Sequence, residues 1–328
     1  MLIGLHDAEY DHMPNKEFPN YALMKISAWH KSQGDKVELF TPTNPEYGEQ
    51  QTMFETEYPM KRNAYFYDYD KIYSSKVFDF TPENKFLPEH TVKGGTGYGI
   101  YNELPIEIDK MFPDYSIYPN CDYAIGFLTR GCVNNCSWCV VPPKEGKIYS
   151  YRKWQDVVRN DTDKLLLMDN NILACDYGIS QLAELSQTDY KIDINQGMDI
   201  RLLTDEICKI LKKIKWIKYI RFSCDRSEQL PYFEKMVEMF DKYKISKSKV
   251  FIYLLVQKDL DEADYRVQSL KKMYRSFNLS AQAERNEAKG IIPSEVQLTF
   301  AQRYVYSRTY KNETWVEYCK RHHIKNYK

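Results

Sequence analysis

Three cysteines, Cys132, Cys136 and Cys139, stand at the spacing C-x3-C-x2-C on one short stretch. Thiolates at such spacing suit zinc or an iron–sulfur cluster. A closed structural zinc site takes four ligands, and an ordinary iron–sulfur cluster is held by four cysteines. Here no fourth cysteine follows at motif spacing, and the six histidines, at 6, 12, 30, 90, 322 and 323, are remote in sequence. Three thiolates on one loop can hold a cubane cluster and leave one iron open, and an open iron is useful where a second molecule binds it. Two other uses of the same residues stand beside this one: a zinc site completed from a distant part of the chain, and three unrelated buried thiols.

The elements around the loop follow a regular order. From residue 121 onward, strand-like runs cover 122–128, 164–168, 191–195, 218–223, 249–256 and 277–283. Helix-like runs alternate with them. One covers 152–160, and another includes 181–185. A third is capped by Thr204, carries Asp205 and Glu206 in its first turn and buries Ile207, Ile210, Leu211 and Ile214. Leu230, Phe233, Val237 and Phe240 mark a fourth, and 260–273 forms a fifth. Six strand–helix units predict an α/β fold, a partial (β/α)6 barrel, whose active site lies at the carboxyl ends of its strands. The cysteine loop follows the first strand. Asp169, Asn170 and Asn171 follow the second, and Asn195 and Gln196 sit at the end of the third. Arg221, Ser223, Cys224 and Asp225 sit at the end of the fourth.

The stretch Cys132-Val133-Asn134-Asn135-Cys136-Ser137-Trp138-Cys139 resembles the signature of the radical S-adenosylmethionine (SAM) enzymes, including the aromatic Trp138 before the last cysteine. The run CVVPPKEG at 139–146 resembles the segment that follows the cluster cysteines in methylthiotransferase-like members, and IRFSCD at 220–225 resembles a fourth strand of related enzymes. The resemblance implies that Cys132, Cys136 and Cys139 bind three irons of a [4Fe–4S] cluster while SAM chelates the fourth. It implies a place for Trp138 beside the cofactor. Asp169, Asn170 and Asn171 stand where the amino group of SAM is held. Asn195 and Gln196 stand where the ribose and methionine parts are met. Arg221 or Asp225 supplies a charged contact, with Ser223 on the same side of the strand. Cys224, and with it Cys175, is a candidate to donate a hydrogen atom or attack a substrate radical. A low-potential electron donor, flavodoxin- or ferredoxin-like, is an implied partner. The substrate is unidentified, with a nucleoside or nucleic acid favoured.

Residues 1–120 read as a small open α/β domain. A strand at 2–5, a helix at 20–33 with Ala22, Leu23, Ile26 and Trp29 on one face, a strand at 36–40 and a strand at 71–80 follow in order. His6, Asp7 and His12 read as a polar loop or as ligands or catalytic groups. Gly94, Gly95 and Gly97 form a loop that lacks both phosphate-binding glycine patterns and serves as a turn or as a wall near a ligand. The arrangement resembles the domain preceding the barrel in cobalamin-dependent radical SAM enzymes and methylthiotransferases. It departs from both: the D-x-H-x-x-G cobalamin loop is missing, and residues 1–120 contain no cysteine for a second cluster. A cobalamin-dependent methyltransferase and a non-catalytic iron–sulfur or zinc protein are the competing readings. Residues 121–290 form the barrel, and 291–328 form a tail of two helices.

The 328 residues carry no net charge, so no global field draws in a polyanion. The basic positions Lys209, Lys212, Lys213, Lys215, Lys218 and Arg221, and the basic end 320–328, read as solvated faces or as polyanion contacts. Eight cysteines fit a reducing compartment. No run reaches the roughly 18 apolar residues of a membrane span, and the first residues do not look like a signal peptide. The expectation is a soluble, cytoplasmic protein.

Overall fold

The computed structural model describes residues 1–11, 18–42, 61–62, 69–325 and 327. The chain divides into two compact units, Met1–Asp122 and Tyr123–Lys328.

The first unit is built on a parallel sheet of order β3-β2-β1-β4-β5. Its strands are β1 (Leu2–Asp7), β2 (Lys36–Thr41), β3 (Lys61–Arg62), β4 (Lys71–Ser75) and β5 (Val92–Gly94). Central β1 pairs β2 on one side (Ile3↔Val37) and β4 on the other (Ile3↔Lys71). That position explains its continuous apolar run, since a parallel strand with two neighbours is covered on both faces. Helix α1 (Tyr21–Ser32) connects β1 to β2 and starts at Asn20, whose side chain accepts from the Leu23 amide at 3.2 Å. The strand expected over 71–80 stops at Ser75. Buried Glu9 takes the amides of Val77 and Phe78 at 2.8 and 3.2 Å, so the chain turns away from the sheet. A single turn, α2 (Ile106–Asp109), follows β5.

At the carboxyl ends of β1 and β4 lies a buried polar chain. His6 bonds Asp11 through Nε2 and Ser74 through Nδ1, both at 2.8 Å, and Ser74 meets the Tyr98 hydroxyl at 2.7 Å. Tyr118 donates to Asp7 at 2.8 Å. His12 lies outside the described residues. Gly95 has φ +101°, and a Cβ there would sit 2.4 Å from the Lys76 carbonyl oxygen. That glycine lets two backbone segments touch.

The second unit holds two four-stranded parallel sheets, β12-β10-β9-β6 and β11-β13-β14-β15. In chain order its elements are β6 (Ala124–Gly126), β7 (Thr129–Arg130), α3 (Val141–Glu145), β8 (Tyr149–Ser150), β9 (Lys164–Leu167), α4 (Asp176–Leu185), β10 (Lys191–Ile194) and β11 (Met198–Asp199). Then come α5 (Asp205–Lys213), β12 (Lys215–Trp216), β13 (Ile220–Ser223), α6 (Leu230–Lys242), β14 (Val250–Val256), α7 (Leu260–Met273), β15 (Asn278–Ala283), α8 (Glu295–Thr299) and α9 (Trp315–Arg321). The strand–helix alternation and the parallel sense agree with the expected α/β repeats. The strands expected over 191–195 and 218–223 are observed as β10 and β13, and two short strands, β11 and β12, lie outside the expected ranges. β10 pairs β12, and β11, a few residues beyond β10, pairs β13.

Burial alternates along β14. Val250, Ile252, Leu254 and Val256 are buried, while Phe251, Tyr253 and Leu255 are half-buried. The buried side joins a core with Phe222, Phe233, Phe240, Val267 and Leu270 from β13, α6 and α7. The half-buried side forms an open face. On that face Arg221 pairs with Asp193 through two bonds of 2.7 Å and lies 5.0 Å from the Phe251 ring.

Two further expectations differ from the structure. The helix expected over 152–160 is one 3-10 turn, Trp154–Asp156. The amides of Tyr151 and Arg152 bond the Leu128 carbonyl and that of Trp154 bonds the Gln181 side chain, so the segment is tethered to its neighbours. Adjacent Val157 and Val158 add little helix propensity. The tail begins as α8 and continues as a π-helical stretch, Phe300–Tyr306, before α9. Its Phe300, Tyr304 and Trp315 belong to the core of the second unit. Tyr304 donates to Asp264 of α7 at 2.7 Å, which fixes the tail to that helix.

Among the described residues no helix is long and apolar enough to cross a membrane.

Candidate functional site

The cysteine loop leaves the carboxyl end of β6 through β7 and returns through α3 and β8. Thr129 pairs with Ser150 and Arg130 with Tyr149, so a short antiparallel ladder closes its base. Gly131 has φ +78°, and a Cβ there would lie 2.4 Å from the Lys147 carbonyl oxygen. Only glycine fits where the loop's two ends meet. The Cys132 amide then bonds the Gly146 carbonyl at 3.2 Å.

Glu145 organises this base. It accepts from Arg130 Nε and Nη2 at 3.0 and 2.7 Å, from the Gly131 amide at 2.9 Å and from Asn170 Nδ2 at 2.8 Å. The crown of the loop is tied elsewhere. Asn134 donates to Asp199 at 3.1 Å and accepts from Arg201 at 3.0 Å. Lys289 donates to the Ser137 carbonyl at 2.8 Å. The Arg226 guanidinium lies 4.8 Å from the centre of the Trp138 ring, a cation–π contact.

The three thiols are half-buried. Backbone amides of Asn134 and Val141 point at Cys132 and Cys139 sulfur, each at 3.4 Å, and Asn171 Nδ2 lies 3.8 Å from Cys132 sulfur. Such donors stabilise a thiolate. Burial pushes the Cys136 and Cys139 thiols up, and the charges of the neighbouring loop cysteines and Asp225 add to it. The loop cysteines therefore share one electrostatic neighbourhood. Among the described residues no three His, Cys, Asp or Glu side chains converge on one ion. A single-metal site is thus not preformed. A cubane cluster asks for something else, because each thiolate takes a different iron. One orphaned atom supports a further ligand. Asn171 is buried, and its Oδ1 has no hydrogen-bond partner among the described residues. A buried acceptor left open beside Cys132 calls for an incoming donor.

The other residues singled out in the sequence divide into two groups. Asp169 is fully buried and accepts from the amides of Leu128 and Thr129 and from the Thr129 hydroxyl at 2.7 Å. Burial raises its carboxyl to about 6 against the pull of those bonds. It holds the segment leading to the cysteines, and Asn170 reaches Glu145 from the same turn. Arg221 is engaged by Asp193 and by the Tyr253 hydroxyl at 3.2 Å. These three residues position neighbours.

Asn195, Gln196 and Ser223 make no side-chain hydrogen bond among the described residues, and none of the three is buried. Asp225 accepts the Leu255 amide at 3.1 Å, and burial raises its carboxyl. Cys224 is set apart from these residues by its burial. It is fully buried in the core, with burial raising its thiol to about 12, on the side of the chain opposite Ser223 and Asp225. A thiol there is a small core hydrophobe. Cys175 is half-buried at the start of α4.

Asn134, Glu145, Asp199, Arg201, Arg226 and Lys289 were not singled out by sequence. Asn134 and Glu145 lie within the quoted motifs, while Lys289 comes 152 residues after the Ser137 it touches and carries no motif signal.

No family model matches the chain. It is similar to the ribosomal protein uS12 methylthiotransferase RimO of Clostridioides difficile (strain 630), 26% identical over 142 residues, which cover 43% of this chain and 28% of that protein. It is also similar to the protein of the same name from Thermoanaerobacter sp. (strain X514), 28% identical over 158 residues, covering 48% of this chain and 30% of that protein. The matched stretch spans less than a third of the length of these curated relatives. The likenesses are weak and partial, and support the radical SAM superfamily at most.

Proposed function

We propose that the protein is a radical SAM enzyme whose cysteine loop carries a [4Fe–4S] cluster, with the two parallel sheets of the second unit forming the partial barrel around it. The observation that carries the reading is the loop itself: three half-buried cysteines after the first strand of a parallel α/β unit, with the orphaned acceptor of Asn171 beside Cys132. The partial likeness to methylthiotransferases points the same way.

When bound, the cluster supplies the electron that reductively cleaves SAM to a 5′-deoxyadenosyl radical. The chain's residues bind and orient. Cys132, Cys136 and Cys139 hold three irons. Asn171 Oδ1 accepts from the SAM ammonium. Asn195, Gln196 and Ser223 offer polar groups to the rest of SAM, and Asp225 offers a carboxylate. Trp138, held by Arg226, shields one side of the loop from water. Glu145 and Asp169 fix the loop's base. The relatives' names specify a ribosomal protein as substrate. For this chain the favoured substrate class is a nucleoside or nucleic acid. A low-potential flavodoxin- or ferredoxin-like protein is the proposed electron donor.

Anaerobic reconstitution with iron and sulfide tests the reading. The expected result is about four irons per chain and 5′-deoxyadenosine on adding dithionite and SAM, with iron binding lost in Cys136→Ala. A reconstituted protein that holds the cluster and never cleaves SAM overturns the enzyme reading.

A further inference from the structure

The end of α7 and the turn after the π-helical stretch bring five cations together in the second unit. Lys271 and Lys272 occupy the last turn of α7, Arg275 follows it, and Arg308 and Lys311 come from the tail. Lys272, Arg275 and Arg308 are exposed. Arg275 donates to the Lys311 carbonyl at 3.4 Å, which ties the two segments together. With Gln268 and Asn312, four of these cations line a recess of about 550 Å³.

Three features distinguish the recess from an ordinary solvated face. First, Lys272, Arg275, Arg308 and Lys311 form no ion pair among the described residues, although many surface lysines and arginines of this neutral chain do. Lys271 acts on the Glu317 carboxylate, which is held in the Thr314 capping box. Second, the Lys311 ammonium is disfavoured by burial and by the charges of Arg308 and Arg275, so the cations crowd one another. The helix C-terminus favours Lys271 and Lys272 of its last turn. Third, every lining side chain is a cation or an amide. A protein partner would need apolar or aromatic anchors at its centre. Lysine, arginine, asparagine and glutamine are the groups that meet phosphate and sugar.

We infer that this recess is a docking site for the phosphodiester backbone of a nucleic acid. The inference does not rest on the cluster, and it names the substrate class to which the proposed enzyme would be anchored. Binding is measured without iron, so failure here and failure of the radical SAM reading are separate events.

The test is fluorescence anisotropy of the full chain with a labelled single-stranded 20-nucleotide RNA of mixed sequence, between 50 and 200 mM KCl. The triple variant K272E/R275E/K311E is expected to bind at least tenfold more weakly. Its log–log salt slope should fall by about 2, near 0.7 for each phosphate no longer neutralised. K209E/K212E/K213E on α5 makes the same charge change elsewhere and should bind within twofold of the parent. Arg308 has φ +62°, a left-handed conformation that favours glycine. Arg308→Gly should therefore bind RNA more weakly while melting at the same or a higher temperature, which separates a docking role from a structural one. The inference is overturned by unchanged affinity in the recess triple variant, or by equal losses in both triple variants. It is also overturned if millimolar inorganic phosphate displaces the RNA, which marks a small-anion site, or if polyglutamate competes as well as RNA, which marks an acidic protein partner.

Discussion

Replacing Asp169 by asparagine should remove a defined pH dependence from the stability of the second unit. The carboxyl is fully buried, and its environment raises it from its usual 3.8 to about 6. Burial causes the rise, and the bonds from Thr129 and Leu128 limit it. Each tenfold change in proton affinity is worth about 1.4 kcal/mol, so the gap corresponds to roughly 3 kcal/mol. The sign follows from proton counting. Between about pH 4 and 6 the native state keeps a proton that the unfolded chain has released. The contribution is therefore fully present below about pH 4 and is lost as pH rises through about 6. Asparagine cannot titrate, and its Oδ1 can still accept from the Thr129 amide. Four of the five tryptophans, Trp138, Trp154, Trp216 and Trp315, lie in the second unit, so urea unfolding followed by tryptophan fluorescence reports on it. The stability of the parent relative to Asp169→Asn should fall by roughly 3 kcal/mol between pH 4 and 7. A difference that stays within about 1 kcal/mol across that range, or one that grows with pH, refutes the assignment of Asp169 as a desolvated carboxyl.

Glu145→Ala should destabilise the second unit by about 3 kcal/mol, because it strands the largely buried Arg130 charge and frees the Gly131 amide. It should also lower iron per chain on reconstitution, whereas a loss under about 1 kcal/mol with full iron loading would show that the loop base does not depend on it. Cys224→Ala should keep wild-type iron content and SAM cleavage and cost about 1 kcal/mol, since the thiol is in the core. In the iron-free protein at pH 8, iodoacetamide should label Cys132, Cys136 and Cys139 before Cys208 and Cys224, whose thiols burial raises to about 11 and about 12. Early labelling of Cys224 would refute its burial in the core.

What the sequence made legible was what local signals encode. For α5, the Thr204 cap, the acidic first turn, the lysines of the last turn and the apolar spacing all agree, and the helix runs Asp205–Lys213. The alternation along the fourth strand puts Arg221, Ser223 and Asp225 on one side. The same alternation turns Cys224 into the core. The helix expected over 152–160 failed for a nonlocal reason: Leu128 and Gln181 take amides from that segment. The spacing of Cys132, Cys136 and Cys139 was readable because it is local to one short stretch. The supports of the loop were not. Arg201 meets Asn134 across 67 positions, and nothing in the chain near Arg201 announces the contact. Arg221 is engaged by Asp193, a partner that only the pairing of strands reveals.

The clamp on the cysteine loop also has a consequence in time. Its thiols emerge from the ribosome long before their holders. Asp199 and Arg201 are made 65 and 67 residues after Asn134, and Lys289 another 88 residues after Arg201. During synthesis, three cysteines are therefore present on a loop whose crown has no anchor. A nascent chain that met iron or an oxidant at that stage would do so with mobile thiols, free to bind in other geometries or to pair with one another. The ordered loop is a property of a chain made at least as far as Lys289, and loading of any metal after that point is the order of events that suits this architecture.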